Sequence, residues 1–130
     1  AAGGASHHVW WAPDVMPTML DLVEAWRKPR YMDGISQIRL LGGRIPPEHA
    51  HLYWELHEDG FAQAVRMGKW KAIRIGAVGA IKLYNLEEDV EEENDVAQSH
   101  PDVVRQIAQI MKEDRFDSAG WPVKGERIAQ

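Results

Sequence analysis

The stretch "HLYWELHEDGFAQAVRMGKWKAIRIG", residues 51–76, decides the reading of the whole chain. Its period is two: Leu52, Trp54 and Leu56 fall on one face and Tyr53, Glu55 and His57 on the other, as in a strand. "EDGF" then reads as a turn, "AQAVRM" as a second strand, and "MGK" as a tight turn in which Gly68 supplies the positive φ that other residues resist. "WKAIRI" returns as a third strand, and after "GAVG" the segment "AIKLYNL" makes a fourth. Short connections between successive strands imply an antiparallel meander. The chemistry of the stretch is open at this level. His51, Glu55, His57 and Glu58 ahead of Arg66, Lys69, Lys71 and Arg74 could form a catalytic or metal-binding patch, or a hairpin with polar residues on its outer face.

One face of such a sheet must be covered. The natural cover is a helix from about Pro101 to Arg115, whose Val103, Val104, Ile107, Ile110 and Met111 form a single apolar stripe. Either Ser99 caps it, with Asp102 three residues on, or His100 is the cap and Pro101 takes the first helical position. The fold class is therefore α+β, a four-stranded antiparallel sheet packed by a C-terminal helix over residues 48–123. Residues 1–47 precede it as a helix of about 14–26 and a linker, and 124–130 form a tail. Asp14 can cap the first helix, Met16, Met19, Leu20 and Val23 recur at helical spacing, and Pro17 is tolerated in the first turn. Breakers fill the linker ("MDGIS", "GG", "PP"), while Ile35, Ile38, Leu40 and Leu41 pin it to a core. "EEDVEEEND" carries seven acidic side chains in nine residues. It lacks the spaced oxygens and glycine turn of a calcium loop and reads as a solvated acidic loop. In the tail, Phe116 and Trp121 are the expected anchors.

Composition narrows the function. The 130 residues, 45% hydrophobic, allow one modest core. Six tryptophans in that length imply burial between elements or against a missing partner. A formal charge of −5 argues against nucleic acid as a partner. The absence of cysteine excludes disulfides, thiolate zinc sites and a thiol nucleophile. No apolar run reaches membrane-spanning length, and "AAGGASHH" has neither the basic region nor the apolar core of a signal peptide. As a metal site His51, Glu55, His57 and Glu58 fail, because His57 and Glu58 are strand neighbours pointing to opposite faces.

"YWELHEDGFAQAVRMGKWKAIRI", then "IKLYNLEED" and "NDVAQSHPDVVRQIAQIMKE", resemble in order and spacing the C-terminal subdomain of type I, formylglycine-dependent sulfatases of the arylsulfatase family. That family has a "YWEF" strand, a "QAVR.G.WK" hairpin, an "LYDL..DP.E..DVA" strand and acidic loop, and an "HP..V..I...M" helix. Upstream, "SHHVWWAPDVMPTMLDLVEA" and "YMDGIS" resemble the segment joining the catalytic domain to that subdomain, so the resemblance covers residues 6–123. There are departures. Val90 and Glu91 replace the usual Pro-Gly turn, Trp26 stands where a glycine commonly ends the helix, and "QIRLLGG" replaces a more apolar, proline-containing run.

The resemblance implies an enzyme that hydrolyses sulfate esters with a formylglycine made from a C/S-x-P-x-R signature, and a calcium ion acting as Lewis acid and charge clamp. This chain has no such signature. "SHPDV" at Ser99 has Val103 where arginine is required, so it reads as a helix cap. Calcium and formylglycine are expected in a missing N-terminal catalytic domain, the implied partner, and the chain alone is expected to be inert. Family members are commonly periplasmic or secreted. The resemblance also implies a substrate-binding role for His57, with Gln63 or Arg66, lining a cleft between the two domains. The plainer alternative pairs Glu55 and His57 with Lys71 or Arg74 across the meander. A different class of function, a stand-alone α+β domain binding a protein partner through exposed tryptophans, remains as the alternative. An orphaned subdomain should in turn show an apolar patch including Trp10 or Trp11.

Overall fold

The computed structural model describes residues 3–58, 60–116, 118 and 123. Trp121, the tail 124–130 and Asp59 of the "EDGF" turn lie outside the described residues. The chain divides into two compact units, Ala1–His49 and Ala50–Gln130. The boundary falls two residues beyond the linker end expected at Pro47.

The second unit is the expected meander. Strands β1 (Leu52–Leu56), β2 (Ala62–Met67), β3 (Trp70–Ile75) and β4 (Ile81–Asn85) form one antiparallel sheet in sequence order. The β2–β3 hairpin closes through Gly68 and Lys69, with Met67 opposite Trp70 and Gly68 at φ 57°. That sign matches the right-handed twist of the strands it joins. Tyr53, Val65, Ala72 and Leu83 stand in register across the four strands. The long C-terminal helix, Pro101–Glu113, is α3, after α1 (Val15–Leu22) and α2 (Ile38–Leu41) of the first unit. It lays Ile107 and Met111 onto that row, and Val65, Ala72, Leu83, Ile107 and Met111 are all fully buried. Val103, Val104 and Ile110 pack around them, so the apolar stripe is the contact surface. His100 takes the cap position and Pro101 the first turn, without a side-chain capping bond.

The acidic stretch after β4 is built, not merely solvated. Asp95 accepts the Leu83 N–H at 3.1 Å and the Ala97 N–H at 3.0 Å, and Val96 N–H donates to the Leu83 carbonyl at 2.8 Å. The outer edge of β4 is thereby occupied, which blocks edge-to-edge pairing there. Asp89 accepts from Glu93 and Asn94, and Glu92, at φ 60°, receives the Lys71 ammonium.

The first unit departs further from its pattern. Helix α1 spans Val15–Leu22 and stops four residues short of the expected Trp26. Glu24 takes the left-handed conformation, φ 50°, that a glycine usually supplies, and Ala25 N–H closes back on the Leu20 carbonyl at 2.9 Å. The segment read as linker contains the short helix α2 (Ile38–Leu41). The face of α1 that is buried is polar: Asp14, Pro17 and Thr18 are inside, and Met16, Met19 and Val23 are outside. Asp14 does not cap α1 through its side chain. Its carboxylate accepts instead from Ile35 N–H at 2.7 Å, Gln37 Nε2 at 3.3 Å and His49 Nε2 at 2.8 Å. Thr18 Oγ1 donates to the Asp14 carbonyl and accepts the Gln37 N–H. A buried carboxylate is tolerable only with such partners. Their approach depends on Gly34, where an added Cβ would sit 2.0 Å from the Pro13 carbonyl oxygen. Trp10 is half exposed, and Trp11 packs edge-on against His49 at 5.6 Å.

Two outcomes are expected. Ile107→Ala should cost about 2–5 kcal/mol in a urea titration, because it empties a fully buried site on the sheet. The backbone donors of Ala97 and then Leu83 hold the Asp95 carboxyl below its ordinary value of 3.8. The stabilisation this lends is complete above that value and is lost as the pH falls through the lower folded-state value. Melting curves in that acid range should fall less steeply with pH for Asp95→Asn than for the unchanged chain.

Candidate functional site

β1 runs with Tyr53 and Glu55 on the sheet face that carries α3, because they share register with Val65 and Gln63 of β2. The polar side of the strand thus faces the helix, and Trp54 and Leu56 are the exposed residues. This inverts the expectation of a polar outer face. At the β1 end the row reads Glu55, Gln63, Arg74, Ile81 across the sheet.

Gln63 is the root of this row, with 1% of its surface exposed. Its Nε2 donates to Tyr53 Oη at 2.7 Å and to the Met111 carbonyl at 3.0 Å. Its Oε1 accepts from Arg74 Nε at 2.9 Å and from Arg74 Nη2. Two donors and two lone pairs are all used, which exhausts what a carboxamide can form. Tyr53 Oη donates a hydrogen bond to Glu55 Oε1, Glu55 Oε2 meets His57 Nε2 at 3.1 Å, and Arg115 Nε lies 3.7 Å from Glu55. Burial, and then the hydrogen bond to the Glu55 carboxylate, push the Tyr53 hydroxyl well above its ordinary pKa, so it remains a donor. The imidazole of His57 tilts against the Phe61 ring at 5.3 Å, and the Arg115 guanidinium lies over the same ring.

The chain of bonds ends at an open cavity of about 420 Å³ lined by Glu55, Leu56, His57, Glu58, Phe116 and Ser118. That volume is within the range of small-ligand sites. Phe116, expected to anchor the tail, is 87% exposed and lines the cavity instead. The three residues assigned from sequence do not converge. His57 faces the cavity, Gln63 lies beneath it in the core, and Arg66 stands opposite Leu52 and Lys71 on the other face of the sheet. The alternative pairing also differs from expectation, because Glu55 and His57 pair with each other, Arg74 with Gln63, and Lys71 with Glu92. Tyr53 and Arg115 complete the site. Alternation with Glu55 and His57 flags Tyr53, whereas nothing local marks Arg115, which the helix delivers from 60 residues downstream of Glu55.

The cavity can donate and accept hydrogen bonds through an imidazole and two carboxylates beside an apolar ring. Among the described residues no group of three or more His, Asp or Glu side chains is placed to hold a metal ion.

No family model matches the chain, and no curated protein matches it. Solved structures do. A protein of Bacteroides thetaiotaomicron VPI-5482 assigned to the sulfatases aligns with a TM-score of 0.70 and 20% identity over 77% of this chain and 23% of its own. BT1596, a 2-O GAG sulfatase, aligns with a TM-score of 0.70 and 20% identity over 78% of this chain and 23% of its own. Ps i-CgsB in complex with k-i-k-neocarrahexaose aligns with a TM-score of 0.68 and 23% identity, over 86% and 26%. The chain thus spans about a quarter of the length of these structures. The sheet-and-helix fold described above is one that sulfatases contain, as the sequence resemblance implied.

Replacing Gln63 by Leu keeps its bulk but strands Arg74 and the Met111 carbonyl. The variant should lose about 1–3 kcal/mol in a denaturant titration, the cost of buried groups left unpaired.

Proposed function

We propose that this chain is the C-terminal portion of a sulfatase, supplying scaffold and part of the substrate cleft to an enzyme whose bond-breaking residues lie on a separate catalytic domain. The observation that carries this reading is the match itself: more than three quarters of the chain aligns with about a quarter of each sulfatase structure. The comparisons do not favour an independent interaction domain. In this reading the partner is the catalytic domain, which holds the calcium ion and the formylglycine, and sulfate esters are bound by the full-length enzyme.

Within the cleft, His57 presents its imidazole to the organic part of the substrate. Gln63 is a positioning residue, acting through Tyr53 and Glu55, which fix the imidazole from one side. Arg66 lies on a different surface and has no role in this cavity. Such a site selects among substrates by hydrogen bonds that one organic group completes and another leaves unmade.

The test uses a panel of aryl and sugar sulfates. The 130-residue chain alone should release no sulfate, and a polypeptide joining it to the catalytic domain should turn over. In that polypeptide, His57→Ala should shift the kcat/KM ratio between two substrates by about tenfold, equivalent to about 1.4 kcal/mol. Sulfate release by the chain alone, or an unchanged substrate ranking, would contradict the reading.

A further inference from the structure

Of the described tryptophans Trp26 is the most exposed, at 85%, and Tyr31 is 83% exposed. Both lie in the connection between α1 and α2, in the run "WRKPRY", residues 26–31. Each ring carries a guanidinium over it. The Arg27 carbon lies 4.4 Å from the Trp26 ring centroid and that of Arg30 5.6 Å from the Tyr31 ring, both within the reach of cation–π attraction. Lys28 is bound to Asp21, whereas Arg27 and Arg30 form no ion pair among the described residues. Glu24 and Asp33 stand towards the ends of the connection, so its positive charge is concentrated in the middle. A single exposed ring is ordinary on a protein surface, but two rings each paired with an unneutralised cation in one six-residue run are not explained by the core. Trp26 is also a departure, since it stands where the sulfatases that the chain resembles commonly have glycine. The surface is therefore particular to this chain.

We propose that the connection Trp26–Tyr31 is a binding surface for a sulfated sugar chain, with Arg27 and Arg30 on its sulfate groups and the Trp26 and Tyr31 rings against its sugar rings. A guanidinium presents a planar fork of N–H donors to two oxygens of one anion, which suits a sulfate group. An aromatic face takes the C–H face of a sugar by the same apolar contact that it would otherwise make in a core. The occupant follows from charge. The chain as a whole is at −5, so a bare polyanion gains at two guanidiniums and is repelled by the rest of the surface. Nucleic acid owes its affinity to the neutralisation of many closely spaced phosphates, which two arginines do not provide. A sugar chain with separated sulfate groups needs fewer cations and offers the rings something to cover. This rests on the sulfatase reading above, which makes sulfate esters the molecules that the full polypeptide meets, and adds a surface that holds a polymer of them. Holding one stretch of such a polymer raises the effective concentration of its other sulfate groups around the same polypeptide.

The test titrates the 130-residue chain with dextran sulfate, unsulfated dextran, polyglutamate and single-stranded DNA at one fixed salt concentration. Dextran sulfate should bind, and the other three should bind at least about tenfold more weakly. Arg27→Gln with Arg30→Gln should weaken dextran sulfate about tenfold or more, and Trp26→Ala alone about fivefold or more. Arg105→Gln with Lys112→Gln removes the same charge from exposed positions of α3 and should change the affinity less than twofold. All the substituted side chains are exposed, so every variant should melt with the unchanged chain. Absence of dextran sulfate binding, or an equal loss in the α3 variant, overturns the proposal. Equal binding of polyglutamate makes the partner any polyanion, and equal binding of DNA makes it nucleic acid; either result also overturns it. An unchanged affinity in Trp26→Ala does the same, because the rings then hold no sugar. The outcome is separate from that of the sulfatase reading, because no turnover is measured. Binding by the short chain beside a long polypeptide that releases no sulfate supports the surface and sinks the sulfatase reading, and the reverse result sinks the surface alone.

Discussion

The contact of Ile107 and Met111 with Val65, Ala72 and Leu83 is the constraint on which the second unit depends. A four-stranded meander has two faces and cannot be stable in water with both apolar sides open. One helix closes one of them. That choice fixes which residues of every strand point inward, since a shift of register by one residue would send Val65 outward and Arg66 inward. It also fixes the end of the sheet at which polar groups must find partners, because α3 stops at Glu113 and leaves its last carbonyls in reach of β2.

Gln63 shows how that limit becomes a site. Its place in the register with Glu55 and Arg74 sets a polar row beside the apolar row of Tyr53, Val65, Ala72 and Leu83. The carboxamide bridges the two by joining the helix carbonyl of Met111 to the Tyr53 hydroxyl and the Arg74 guanidinium. Each bond orients the next, so the carboxylate of Glu55 and the imidazole of His57 are held from the core outward. A ligand group entering the cavity would meet side chains whose rotamers are already fixed, which reduces the ordering cost of binding.

The first unit follows a different rule. Its interior is a carboxylate with backbone and side-chain donors around it, in place of an apolar cluster. Buried hydrogen-bonded networks of this kind specify geometry more than they add net stability. The apolar side chains of α1 are correspondingly left over, and the same network that holds the unit together forbids rotating the helix to hide them.

The sequence by itself determined the meander, its Gly68 turn and the covering helix, while leaving Ser99 and His100 both open as that helix's cap, because these depend on periodicity and on local backbone preference. The period of two in "HLYWEL" located β1, and the i, i+3, i+4 spacing of Val103, Val104, Ile107, Ile110 and Met111 located α3. It did not determine which side of β1 is covered, since Leu52, Trp54 and Leu56 form the more apolar side and yet the helix lies on the other. Nor did it show that Asp14 is a hub or that Arg115 reaches Glu55. Those outcomes belong to tertiary structure, where partners arrive from 20 to 60 residues away and a hydrogen bond to a distant group outweighs the preference of a single side chain for water or for oil.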